Sequence, residues 1–130
     1  MAATTTLETN ARNALADALD TLVNTGSGTA QLMFEEAGDG EVATCDMADP
    51  AFGAAATGVI TNGTIQDDTN ARGTAAAGGV VAQVSMYNKA GTKVAEFNCG
   101  VTDETFIISS TTVGAGDTVG VSSFTITVPA

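Results

Sequence analysis

The sequence predicts a mainly β protein, an antiparallel β-sandwich or its jelly-roll variant with about eight short strands and one N-terminal α-helix. Three observations lead to this prediction. Large apolar side chains recur at every second residue in several short runs, most regularly in residues 122–128. Turn-forming residues separate these runs at close spacing. Near the N-terminus, apolar residues instead fall three and four positions apart, which is helical spacing.

The helix is expected within residues 7–25, after a flexible N-terminal arm of residues 1–6. Glu8 would lie in its first turn, where the helix dipole favours a negative charge, and Gly26 would end it in a left-handed conformation. The apolar stripe consists of Leu7, Ala11, Leu15, Ala18, Leu19 and Leu22. We expect this stripe to cover one end or face of the sandwich or, alternatively, to dock on another subunit.

The short polar residues of the helix are expected to point away from that stripe. They are Asn10, Asn13, Asp17, Asp20 and Thr21.

Residues 30–130 are expected to form the sandwich, so that the chain is a single domain overall. The predicted strands are 30–35, 41–47, 58–61, 64–66, 80–87, 93–99, 105–108 and 118–128. We expect the last of these to be a central strand, closed by Pro129, which cannot extend a strand ladder. Gly38-Asp39-Gly40 and Asn62-Gly63 are predicted hairpin turns.

The charge balance argues against nucleic acid and membrane partners. Fifteen acidic residues oppose four basic ones, for a formal net charge of −11. Such a chain is repelled by phosphates and by anionic lipids. No run of apolar residues is long enough to span a membrane, and residues 1–6 lack the features of a secretory signal, so we expect folding in a cytoplasm.

The composition also argues against catalysis. Histidine is absent, which removes the usual general base at neutral pH. The adjacent acidic pairs are Glu35-Glu36, Asp67-Asp68 and Asp103-Glu104. Neighbouring residues on a strand point to opposite faces, so these pairs do not converge on one glycosidic bond, and we expect them in solvated loops. We predict no enzyme activity, no catalytic residue and no cofactor.

The two cysteines, Cys45 and Cys99, lie in predicted strands. We expect two buried thiols, with a disulfide across paired strands as the alternative. No His residue and no CxxC motif is present, and the acidic loops lack EF-hand spacing, so we predict no metal site.

Several segments together carry a resemblance to a known group of proteins. These are the helix 14–20, the linker 24–30, the segment 49–56 and the closing run 122–128. With them the chain resembles small virion structural proteins of tailed bacteriophages, and it is similar in size and composition to capsid decoration (cement) proteins. It departs from them in its cysteine pair and its strong acidity.

This resemblance implies a protein that binds the outer lattice of an icosahedral head and braces it against internal DNA pressure. The implied partners are the major capsid protein, copies of the same chain, or both, and the implied location is the virion, after assembly in the host cytoplasm. The contact candidates are Met1, Ala2, Ala3, Thr4, Thr5, Thr6, Leu15, Leu19 and Leu22.

Two other functions remain open from the sequence. The first is a tail, neck or fibre component of a virion. The second is a carbohydrate-binding or adhesive β-sandwich module, for which Tyr87 is the candidate sugar-stacking residue.

Overall fold

The computed structural model describes residues 6–73, 80–102, 106–122 and 124–129. In these ranges the elements are α1 (Thr9–Val23), β1 (Gln31–Glu36), β2 (Glu41–Asp46), β3 (Val59–Thr61), β4 (Val81–Tyr87), β5 (Lys93–Gly100), β6 (Phe106–Ile107) and β7 (Thr125–Thr127). The prediction of a mainly β fold with one N-terminal helix is confirmed.

The strands form one curled mixed sheet and one separate pair. The large sheet has the order β2-β1-β4-β5-β6, in which β5 and β6 are parallel and the other neighbours antiparallel. Strands β3 and β7 pair antiparallel with each other. Strand count and pairing therefore differ from those expected from the sequence, and neither a sandwich nor a jelly roll is established.

The inner face of the large sheet follows from the alternation of its strands. Leu32 on β1 lies opposite Met86 on β4, and Phe34 lies opposite Val84. All four side chains are buried, because residues two apart on a strand share a face. The hairpin between β1 and β2 turns at Gly38-Asp39, both with positive φ, as the sequence predicted.

The C-terminal run was predicted to be a central strand, and this prediction is wrong. Among the described residues of this run, Thr125–Thr127 is the strand, and it pairs with the short strand β3 rather than inside the large sheet. The alternation is real, since Phe124, Ile126 and Val128 are half-buried between exposed threonines. A period of two shows that one face is covered but does not identify the neighbouring strand.

The predicted hairpin at Asn62-Gly63 is also wrong, and residues 64–66 form no strand. Asn62 lacks the positive φ that a type I′ turn requires. Instead, its side-chain oxygen accepts a hydrogen bond of 2.7 Å from the backbone N–H of Phe124, and its own N–H donates to the Phe124 carbonyl. The Asn-Gly pair thus joins two distant segments.

The outer edge of β2 is covered by the segment 66–73. The Val42 carbonyl accepts hydrogen bonds from the backbone N–H groups of Arg72 and Gly73. The Thr44 N–H donates to a carboxylate oxygen of Asp68 at 2.8 Å, so Asp68 is not simply a solvated loop residue. At its other edge the large sheet ends in β6.

The core is a single cluster of buried side chains. All five phenylalanines belong to this cluster or pack against it, and each ring contacts at least one other phenylalanine ring. Their centroids lie 5.5–6.4 Å apart; the rings are Phe34, Phe52, Phe97, Phe106 and Phe124. Cys45 and Cys99 are buried thiols that are not joined in a disulfide, which confirms the leading prediction for them. Burial also raises the pKa of the Cys45 thiol.

Candidate functional site

Helix α1 is fixed to the rest of the protein largely by polar side chains. Four of them accept hydrogen bonds of 2.7–3.3 Å from backbone N–H groups of the segment 51–58. The acceptors are Asn13, Asp17, Asp20 and Asn24, and the donors are, in the same order, Gly58, Ala55, Phe52 and Ala51. The helix therefore satisfies the backbone of an irregular segment that has no strand partner for these groups.

This arrangement reverses the expected orientation of the helix. Asn13, Asp17 and Asp20, predicted to face away from the sandwich, face it. Spacings of three and four place these acceptors on one side of the helix, and the small side chains of 53–56 let the helix approach the backbone. Burial raises the pKa of Asp20, although hydrogen bonds from Phe52 and Asn24 act in the opposite direction.

The boundaries of α1 also differ from those predicted. The helix begins at Thr9, so Glu8 is its N-cap residue and makes no side-chain capping bond. Its C-cap is Asn24 rather than Gly26. Gly26 has a φ of 118°, and a side chain there would collide with the backbone of Ala90, so the close approach of two backbone segments requires glycine.

The opposite side of α1 is apolar and exposed. We call Ala14, Leu15, Ala18, Thr21 and Leu22 the outer helix face; all five are exposed and none carries a charge. Leu15 is 53% exposed and Leu22 is 47% exposed. Leu19 is half-buried, while Ala16 and Val23 make the fully buried apolar contacts of the helix.

Two of the three predicted leucine contacts thus lie on one accessible surface. Thr6 is exposed, and Met1, Ala2, Ala3, Thr4 and Thr5 lie outside the described residues.

A second candidate site is a buried carboxylate on the outer face of the large sheet. Glu35 is fully buried and accepts hydrogen bonds from the hydroxyls of Ser85 and Tyr87 and from the side-chain amide of Gln83. The Lys93 ammonium lies 3.7 Å from the same carboxylate. These residues lie close together because β1, β4 and β5 are neighbouring strands and their register places the residues on one face of the sheet.

Sequence reasoning missed this cluster. The pair Glu35-Glu36 was expected to be solvated, at and just beyond the end of the predicted strand 30–35, but both residues lie within β1 and are buried. One usable signal was the line of polar residues at alternate positions of 83–87, facing away from the apolar core positions of the same strand.

Three residues in and around this cluster, Lys93, Asp39 and Tyr87, have shifted pKa values. Hydrogen bonds to Asp39 and Glu96, at 2.9 and 3.0 Å, raise the pKa of Lys93 above its usual value. The hydrogen bond from Lys93 lowers the pKa of Asp39. Burial, followed by the hydrogen bond and charge of Glu35, raises the pKa of Tyr87 to about 12. The cluster therefore joins three strands by fixed hydrogen bonds and ion pairs at neutral pH.

The titration of Tyr87 tests this description. It is the one tyrosine of the chain, so the ultraviolet absorbance of tyrosinate reports on it alone. We expect a midpoint near pH 12 in the folded protein and about 10 in denaturant. Because folding favours the neutral phenol, its contribution to stability is complete below about pH 10 and is lost as pH rises through about 12.

Glu35→Gln should lower the midpoint of the folded protein, because it removes the negative charge beside the phenol. Glu96→Gln is the control, since Glu96 does not contribute to the shift of Tyr87. An equal midpoint in the wild type and in a folded Glu35→Gln variant would contradict the description.

Comparisons with known proteins give no match: none with a protein-family model, none among curated proteins and none among solved structures. Within the described ranges, no helix has the length and hydropathy needed to cross a membrane. The same ranges contain no group of three or more Cys, Asp or Glu side chains that could hold a metal ion.

Proposed function

We propose that this protein is a structural component of a tailed-bacteriophage virion, a head decoration protein that attaches to the outer capsid lattice through the outer helix face. The observation that carries the proposal is the orientation of α1. The helix uses its polar side chains for contacts within the protein and presents Leu15 and Leu22 to solvent. Exposed apolar side chains grouped on one rigid element are typical of protein-binding surfaces.

The charge distribution supports attachment at this face. The chain has a formal net charge of −11, yet the outer helix face carries no charge. The exposed carboxylate of Asp17, a helical neighbour of Ala14 and Thr21, lies at the margin of this face and can stay hydrated when the apolar centre makes contact, since its burial would oppose binding. A decoration protein needs only a modest contact at each site where contacts among neighbouring copies on the lattice add to its retention.

We also propose that the two groups of strands act as opposed layers of an open sandwich. Phe124, which precedes β7, contacts Phe97 of β5 and Phe106 of β6 with ring centroids 6.3 and 5.5 Å apart. Aromatic contact between the layers is what a sandwich core requires.

Tyr87 argues against the carbohydrate-binding alternative. Its hydroxyl is bonded to Glu35, and the Lys93 ammonium lies 6.0 Å from its ring centroid, above the ring. A sugar would have to displace this cation to stack on that face.

Cryo-electron microscopy of particles that contain this chain tests the proposal. We expect repeated density on the outside of the head, with α1 towards the capsid surface. Density confined to the neck, tail or fibres would favour the second virion role, and virions without the chain would overturn both.

The double variant Leu15→Asp, Leu22→Asp is expected to weaken attachment to undecorated heads by about tenfold or more, because it places charge in an apolar contact. Its stability should change little, by about 0.5 kcal/mol or less per site, since both side chains are largely exposed in the free protein. Co-sedimentation with heads and denaturant unfolding measure the two effects.

Val101→Asp is the matched control, because Val101 is 53% exposed but lies outside α1. Attachment of the double variant at the level of the wild type would exclude the outer helix face as the binding surface.

A further inference from the structure

A groove separates β6, the edge strand of the large sheet, from the segment 118–122. It consists of two adjoining hollows of about 350 and 190 Å³. The hollows share Phe34, Ile107, Ile108 and Gly120 along their walls and floor, so they form one continuous depression. The groove lies on a different part of the protein from α1, so a ligand bound in it is independent of the proposed attachment through the outer helix face.

Backbone pairing is interrupted along one wall of the groove. Val119 exchanges two backbone hydrogen bonds of 2.8 Å with Asp68, and the Phe124 carbonyl accepts from Asn62. Between these points, the backbones of residues 120–122 make no hydrogen bond to the described part of the chain. On the opposite wall, β6 is paired with β5, and no other strand among the described residues pairs with it.

Within the described part of the chain, peptide N–H and C=O groups are unpaired on both walls of the groove. They therefore favour a ligand whose backbone is extended. A strand offers N–H and C=O groups on both sides, whereas a helix uses its own groups internally. Addition of a strand to an exposed sheet edge is an established mode of peptide recognition. The facing unpaired segments, β6 and residues 120–122, are two and three residues long, enough to pair with about three residues of an added strand at about 3.3 Å per residue.

The residues that line the groove indicate which side chains an added strand would carry. The hollows contact the core rings of Phe34, Phe106 and Phe124, while Ser109, Ser110 and Ser122 contribute hydroxyl groups. Asp117 is exposed and is the one charged residue lining the hollows in the described part of the chain. We propose that the groove binds an extended segment of a partner protein as an added strand, with apolar side chains at alternate positions and a basic residue beside Asp117.

The test uses the full chain and a short blocked peptide in which valine and threonine alternate after one lysine. Amide hydrogen exchange followed by NMR reads the backbone directly. We expect saturating peptide to slow exchange by about tenfold or more at those amides of residues 120–122 that point into the groove, the signature of new backbone hydrogen bonds. A peptide with proline in place of the central valine should give no protection, because it lacks the N–H group.

Two substitutions of similarly exposed apolar residues separate this groove from nonspecific binding. Ile107→Ser removes a side chain that lines the groove, whereas Val101→Ser removes one that does not. We expect about tenfold weaker peptide binding for Ile107→Ser only. Asp117→Asn keeps an acceptor for the Gly114 N–H and should weaken binding of the lysine peptide but not of a lysine-free version.

Three results would overturn the proposal. The first is no protection of residues 120–122 at millimolar peptide, and the second is equal weakening by the Ile107 and Val101 substitutions. The third is protection of the same amides without peptide as protein concentration rises, which would identify a second copy of the chain as the occupant.

Discussion

Glu35→Ala is expected to lower the free energy of unfolding by roughly 3–5 kcal/mol, the range typical of removing one partner from a buried charged network. The carboxylate is fully buried and is the common acceptor for Ser85, Tyr87 and Gln83. Without it, donors on β4 lose their acceptor in a site that water does not readily reach. Chemical denaturation followed by circular dichroism measures the loss.

Two further variants give an intermediate case and a control for the expected loss of stability. Glu35→Gln keeps the shape and one acceptor oxygen but turns an amide donor towards other donors, so an intermediate loss of about 1–3 kcal/mol is expected. Glu96→Ala removes an exposed partner of Lys93, and a change of about 0.5 kcal/mol or less is expected. If Glu35→Ala were no more destabilising than Glu96→Ala, the buried cluster would not stabilise the fold.

Phe34→Ala is expected to cost about 3–5 kcal/mol of unfolding free energy, as is usual when a buried aromatic side chain is truncated. Phe34 is 1% exposed, is in edge-to-face contact with Phe106, and lies opposite Ala43 and Val84 in the register of the sheet. Its removal leaves a cavity where the inner face of the sheet meets the groove. Thermal and denaturant unfolding measure the effect.

Ile107→Ala is the control for Phe34→Ala, because Ile107 also lines the groove but is 64% exposed. We expect a loss of about 0.5 kcal/mol or less for it. Equal losses for the two variants would mean that Phe34 is not part of a tightly packed core.

The elements with the longest local patterns were those that the sequence predicted best. The alternation of Leu32 with Phe34, and of Val84 with Met86, identified buried faces of β1 and β4, and Gly38-Asp39 identified the turn between β1 and β2. Such patterns depend on the chain itself. The partner of the C-terminal strand depends on contacts far away in sequence, so its local alternation could not distinguish a central position from a pair with β3.

The orientation of α1 could not be obtained from hydrophobic spacing. An apolar stripe normally marks the buried side of a surface helix. Here, the 51–58 segment offers unpaired N–H groups, and Asp17 and Asp20 supply acceptors that a leucine could not. Leu15 and Leu22 of the stripe are exposed rather than buried. Their contact with a partner stays a prediction.

The Glu35 cluster was missed because each of its members is ordinary in sequence. Glu35 follows an apolar residue in a strand, as exposed residues commonly do. Only strand order and register place Ser85 and Tyr87 beside it, and these are tertiary facts.

The unequal edges of the large sheet limit how this protein can associate. Segment 66–73 occupies hydrogen-bonding groups along β2, whereas β6 has no further strand beside it in the part of the chain that the structure describes. Growth of a fibre by strand addition requires each copy to offer two open edges, one for the preceding copy and one for the next. Among the described residues, the large sheet therefore offers one open edge, β6, for a strand-mediated contact, and its covered β2 edge interrupts the stacking of large sheets from one copy to the next.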